Sequence, residues 1–248
     1  MALPASRLST WPTVLTVLAG LLLPGLPSAE APAAGIATHY VERPASRDGT
    51  GRFYMGREIG RVMAHDAAPW LERPSRVHED LPDRVIDEME LARDAEVADV
   101  GAGTGYFTFG LAERVPEGRV YAVDIQPEMI EIIQRRVQAH GVANVLPILA
   151  GEADPGLAPE SVDAVLLVDA YHEFSYPFEV MTAVVRALRP GGRLFLIEYR
   201  GEDPRLLVRP RHKLTEAQAR REMAAIGLRW REARGFLPGQ HFLVFEKP

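Results

Sequence analysis

From residue 87 onward the apolar positions of the chain alternate between two spacings. Short apolar runs of strand length, "EVADVG" (96–101), "RVYAVDI" (119–125), "NVLPILAG" (144–151), "VDAVLLVDAY" (162–171) and the end of "RPGGRLFLIEY" (189–199), alternate with stretches at helical intervals. In "QPEMIEIIQRRVQAHG", Pro127 opens a helix, Met129, Ile132, Ile133 and Val137 share a face, and Gly141 ends it. "FEVMTAVVRAL" repeats the pattern, and Thr215 with Gln218 opens a further helix as a capping pair. "LRWREARGF" and "HFLVFEKP" read as a closing hairpin. Strand and helix in alternation predict an α/β domain: a mostly parallel sheet, helices on both faces, and an antiparallel hairpin at the carboxyl end.

Two amino-terminal stretches break this pattern. Thr13–Leu23 ("TVLTVLAGLLL") is an apolar run shorter than the ~20 residues of a spanning helix, preceded by Arg7 and followed by Pro24, Gly25, Pro27, Ser28 and Ala29. That order predicts a secretory signal peptide over residues 1–29, and with it export to the periplasm or envelope. An uncleaved anchor holding the domain on the cytoplasmic side is the other reading. Residues 30–84 carry no strand pattern, and Phe53, Ile59, Met63 and Trp70 fall at helical spacings broken by Pro69 and Pro74. They predict a linker and helical cap ahead of a domain at 85–248.

Composition narrows the partners. A net charge of -6 disfavours nucleic acid, which requires a concentrated basic surface. The complete lack of cysteine removes thiolate nucleophiles and cysteine-ligated zinc. His65, His172, His212 and His241 form no local ligand pair, so the sequence assigns no metal.

Between the first strand and first helix lies "VADVGAGTGYF" (97–107), with Asp99, Gly101, Gly103 and Gly105 as D-x-G-x-G-x-G. Glycines in a strand-to-helix turn permit left-handed backbone and close approach of a ligand. A dinucleotide loop would set a small residue where Tyr106 stands, which weakens a nicotinamide reading. Asp124 ends strand two about 20 residues beyond the loop, where a carboxylate can accept both ribose hydroxyls. Glu152 follows strand three and Asp169 ends strand four.

In this order and spacing, "VADVGAGTG", "VYAVDIQPEMI", "AGEAD" and "LRPGGRLFLIEY" resemble four motifs of the class I S-adenosylmethionine-dependent methyltransferases, across residues 85–248. The resemblance implies a Rossmann-like fold, S-adenosyl-L-methionine as cofactor and a methyl acceptor, with residues 36–86 as a substrate lid. It implies that Asp99 and the loop Gly101, Ala102, Gly103 and Gly105 line the methionine portion. Asp124 would meet the ribose and Glu152 with Ala153 the adenine, and Ile125 and Asp169 would complete the cofactor-binding set.

"VDAYHEF" (168–174) follows strand four, on the acceptor side. His172 there could take a proton from a hydroxyl or amine, with Glu173 orienting the imidazole; a pocket-shaping histidine is the other reading. The expected activity is methyl transfer to a small molecule. The alternatives are an exported, non-catalytic nucleoside-binding protein and an NAD-dependent oxidoreductase.

Overall fold

The computed structural model describes residues 39–248, so the leader expected at 1–29 lies outside the described residues. The described chain begins with an antiparallel meander: β1 (Tyr40–Glu42), β2 (Gly49–Tyr54) and β3 (Arg57–Gly60), paired in that order. Here the expected helical cap needs correcting. Gly56, at φ 90°, turns β2 back into β3, and the helical spacing of the apolar residues gives way to pairing such as Tyr40 with Tyr54 and Phe53 with Glu58. The helices of the cap come afterwards: a 3-10 turn at His65–Ala67, then α1 (Ala68–Leu71), α2 (Arg76–Asp80) and α3 (Pro82–Glu88).

The main sheet follows the alternation read from the sequence. Its elements are β4 (Glu96–Val100), α4 (Thr108–Arg114), β5 (Arg119–Asp124), α5 (Pro127–His140), β6 (Val145–Leu149) and β7 (Val162–Val168). A 3-10 turn at Tyr171–Glu173, α6 (Pro177–Ala187), β8 (Leu188–Arg200), a 3-10 turn at Pro210–His212, β9 (Lys213–Leu214), α7 (Glu216–Ala225), β10 (Arg229–Arg234) and β11 (Gln240–Glu246) complete it. The strand order is β10-β11-β8-β7-β4-β5-β6, with β9 paired to β8. β4 to β8 pair parallel, and β11 inserts antiparallel between β8 and β10. Chain order therefore reverses beside β4, and in open α/β sheets ligands lie beyond the strand carboxyl ends at such a point.

Two apolar layers cover the sheet. Val97, Ala122, Leu166, Phe195 and Phe242 face α3 and α4 residues such as Ile86 and Leu111, while Ala98, Val123, Val165, Leu196 and Leu243 face Met181, Val184 and Met223. This alternation along each strand is the period-2 pattern of a sheet buried on both faces. The described residues all fall within one compact unit. A buried cluster joins the meander to the rest: Arg57 places two guanidinium nitrogens 3.0 Å from the Glu222 carboxylate, which also accepts from the Tyr171 hydroxyl at 2.5 Å. Among the described residues no helix is long and apolar enough to cross a membrane.

Candidate active site

The loop after β4 is a closed turn. Gly101, Gly103 and Gly105 have φ of 77°, 56° and 84°, the left-handed region that a Cβ disfavours. At Gly101 a side chain would also strike Ala170 Cβ, at 2.4 Å. The Gly101 and Ala102 amides donate to Val123 O at 2.8 and 3.0 Å, the Gly105 amide donates to Ala102 O at 2.9 Å, and the Gly103 amide donates to Asp124 Oδ2 at 2.8 Å. These four amides are spent inside the turn. A pyrophosphate loop must instead offer free amides to an anion, so this loop suits a ligand without phosphate at that place.

Asp124 is the hinge of the arrangement. Its Oδ2 holds Gly103 and its Oδ1 accepts the Gln126 amide at 2.9 Å. Burial raises its carboxyl above the ordinary range although the Gln126 and Gly103 amides pull it back. Both oxygens keep further lone pairs for ribose hydroxyls. The Ala150 amide donates to Asp124 O at 2.8 Å, which brings the loop after β6, with exposed Glu152 and half-buried Ala153, beside the same strand end. Ile125 is exposed there too.

Asp99 and Asp169 stand differently toward the loop. Asp99 lies behind the loop, buried, and its Oδ2 accepts from the Thr108 hydroxyl at 2.6 Å. It braces the turn against α4, and burial pushes its carboxyl up to about 6. Asp169 has left-handed backbone, φ 49°; its Oδ2 accepts from Gln240 Nε2 at 2.7 Å and its buried Oδ1 has no partner. An orphaned carboxylate oxygen next to the glycine turn is the mark of a group waiting for a donor, and the amino group of S-adenosylmethionine is one. With the glycine cradle, this makes the residues present a fit to that cofactor.

The cap roofs the crevice. A Gly103 Cβ would come 3.0 Å from Leu71 Cδ1. Glu72 accepts from the Thr104 hydroxyl and from Arg136 at 2.7 Å, and Gln126 Nε2 donates to Met63 O at 3.0 Å. The open hollows of ≈ 500 and ≈ 430 Å³ lie elsewhere, around Glu202 and His241 and between Phe53 and Phe178.

The acceptor side centres on His172, only 2% exposed. Its Nδ1 lies 2.6 Å from Glu198 Oε2 and its Nε2 lies 2.9 Å from His212 Nδ1. Burial alone would lower its pKa, but Glu198 and Glu173 outweigh that and push it up to about 10. Glu173 lies 3.6 Å from His172 Nε2 and 3.4 Å from His212 Nδ1, and accepts the Met63 amide at 3.1 Å. Burial would raise Glu173, yet the two imidazoles hold it at about 2. Both ring nitrogens of His172, the residue expected to serve as a general base, are engaged, Nδ1 by a carboxylate and Nε2 by a second imidazole. A Gly60 Cβ would sit 3.0 Å from Arg211 O and 3.2 Å from His172 Cδ2, so the end of β3 rests on both histidine-bearing turns.

Sequence reasoning passed over Glu198, Arg57 and Glu222. Glu198 had a signal, a single charge inside the apolar "LFLIEY". His212 had none, since only the fold brings it to His172.

Residues 98–196 match the methyltransferase domain family. An uncharacterized methyltransferase of Mycobacterium tuberculosis is 37% identical over 125 residues, 50% of this chain and 48% of that protein. The chain thus spans about half the length of the curated relatives it matches. In fold it is similar to a SAM-dependent methyltransferase from Aquifex aeolicus, with TM-score 0.71, 24% identity, 75% of this chain and 100% of the other. The [4+2]-cyclase SpnF is also similar in fold, with TM-score 0.60, 16% identity, 68% of this chain and 80% of the other.

Proposed function

We propose that this chain is a class I S-adenosylmethionine-dependent methyltransferase that moves a methyl group from that cofactor to a small-molecule acceptor, a reading that the fold and the matched domain support. The observation that carries the reading is the glycine turn, whose amides are used internally while Asp124 holds the turn from the neighbouring strand end. A cationic, phosphate-free nucleoside suits a loop whose Gly101, Ala102, Gly103 and Gly105 amides are engaged and whose neighbour is a carboxylate better than a dinucleotide does.

The cofactor supplies an electrophilic methyl group with a good leaving group. The protein's share is then to orient the acceptor and exclude water. Gly101, Gly103 and Gly105 give room for the methionine portion, Asp169 Oδ1 accepts from its amino group, Asp124 and Ile125 meet the ribose, and Glu152 with Ala153 meets the adenine. Leu71 and Glu72 close over the crevice. His172 and Glu173 stand on the acceptor side, where they position the acceptor. The amino-terminal apolar run serves as an export leader in this reading, and recovery of a tagged full-length chain solely from the cytosol would oppose that part.

Calorimetric titration with S-adenosylmethionine, S-adenosylhomocysteine and NAD is the direct test. Binding of the first two and none of NAD is expected; the reverse order overturns the reading. Cofactor binding without methyl transfer to any of a panel of hydroxyl, amine and thiol acceptors would favour a non-catalytic nucleoside-binding protein.

A further inference from the structure

We infer that His172, Glu173 and His212 form a binding site for one divalent transition-metal ion, ligated through His172 Nε2, His212 Nδ1 and Glu173 Oε1. Among the described residues, these side chains are a group of three whose ligand atoms converge on one another. The separations are 2.9 Å between the imidazole nitrogens, 3.6 Å from His172 Nε2 to Glu173 Oε1, and 3.4 Å from His212 Nδ1 to the same oxygen. Three atoms so spaced lie on a circle of radius about 1.9 Å. A point ~2.1 Å from each of them, the usual zinc distance to imidazole nitrogen and carboxylate oxygen, therefore lies within about 1 Å of their plane. No ligand has to move for an ion to reach bonding distance of all three.

The donor set has its own chemistry. Two imidazoles and one carboxylate on one side of an ion, with the remaining positions open, suit Zn²⁺, Fe²⁺ or Co²⁺ over the harder Mg²⁺ and Ca²⁺, which take all-oxygen sites. Ligating histidines commonly give their other ring nitrogen to a carboxylate, which fixes the tautomer and directs the lone pair at the metal. Glu198, fully buried on β8, does this to His172 Nδ1 at 2.6 Å. Glu173 and Glu198 together carry two negative charges, which balance a dication in a buried place.

The ligands are also held in position. Arg57 Nη1 donates to His172 O at 3.2 Å. The turn that carries His212 is fixed by the Arg211 amide on Asp48 Oδ2 at 3.2 Å and by the Arg211 guanidinium 2.8 Å from Glu58. The side chains of His212 and Glu173 stay 22% and 15% exposed, leaving an entry path and a fourth coordination position. Met63 joins this cluster to the cofactor crevice, its amide on Glu173 and its carbonyl on Gln126. A fourth ligand on the ion would thus stand at the acceptor end of the crevice. Metal binding itself stands or falls independently of methyl transfer.

Cobalt titration of the full chain, stripped with a chelator, tests the inference, with elemental analysis for zinc alongside. One equivalent of Co²⁺ is expected to bind with visible ligand-field bands, and Zn²⁺ to displace it. His212→Ala, at a partly exposed position, should keep the wild-type circular dichroism and weaken Co²⁺ binding by at least about 100-fold. Glu198→Gln should weaken it about 10- to 100-fold. His140→Ala, on an exposed residue at the end of α5, should bind as wild type does. Absence of the bands in the wild-type chain, or equal Co²⁺ affinity in folded His212→Ala, overturns the site and leaves the three side chains as a hydrogen-bonded group.

Discussion

The Asp124 carboxylate accepts the Gly103 amide at 2.8 Å across the gap between two neighbouring strand ends, so one side chain both closes the glycine turn and presents an acid to the crevice. Asp124→Ala is therefore expected to weaken S-adenosylmethionine binding by about 1–3 kcal/mol, through lost charged hydrogen bonds. Calorimetry checks it, and unchanged affinity would remove Asp124 from the ribose site.

Glu72 latches the cap to the loop through Thr104 and Arg136. Leu71 sits at Gly103, so the cap lies over the loop assigned to the methionine portion. Glu72→Ala should raise the association rate for S-adenosylmethionine roughly 3- to 10-fold, the effect of removing ~1 kcal/mol of partly exposed hydrogen bonding. Stopped-flow binding kinetics measure it. A slower association in the variant would mean that the latch guides entry.

Asp99 gives a pH signature of stability. Its folded pKa, about 6 against an ordinary 3.8, is raised by burial, so the folded state binds the proton more tightly than the unfolded one. Between those values the folded state holds the extra proton, and stability falls as pH rises through the window until the loss is complete above about pH 6. Asn at 99 can still accept from Thr108 and carries no charge. Asp99→Asn should match wild type near pH 4 and exceed it by about 1–3 kcal/mol above pH 6, at 1.36 kcal/mol per pKa unit. Urea denaturation across that range decides, and a constant difference at all pH values would refute the assignment.

Glu222 is fully buried, and Arg57, its side chain 9% exposed, pairs with it through two 3.0 Å contacts. Removing one partner strands the other charge, so Arg57→Ala should cost about 3–5 kcal/mol, whereas the double replacement Arg57→Met with Glu222→Met should recover most of it. Thermal unfolding of the three proteins provides the measurement. Equal loss in the single and double variants would show packing, not charge, to be at stake.

The sheet was legible because its strands are apolar runs and its helices are amphipathic, both local properties. The end of β5 at Asp124 and the turn at Gly101–Gly105 could be read for the same reason. The meander could not: its strands are short and glycine-rich, and its apolar residues happen to fall at helical intervals. Asp99 was given a ligand-facing role because its position in the motif is visible while its rotamer, set by Thr108, is not. His172 looked like a base because a sequence shows an imidazole without showing Glu198, which arrives from another strand 26 residues on.

Gly60 has no functional group, yet it sets how near two imidazoles can stand. One methyl at that position would press on the Arg211 carbonyl and the His172 ring together. An inventory of chemically capable residues would skip it, although a lone alanine there would disturb the histidine pair before any change reached the sheet.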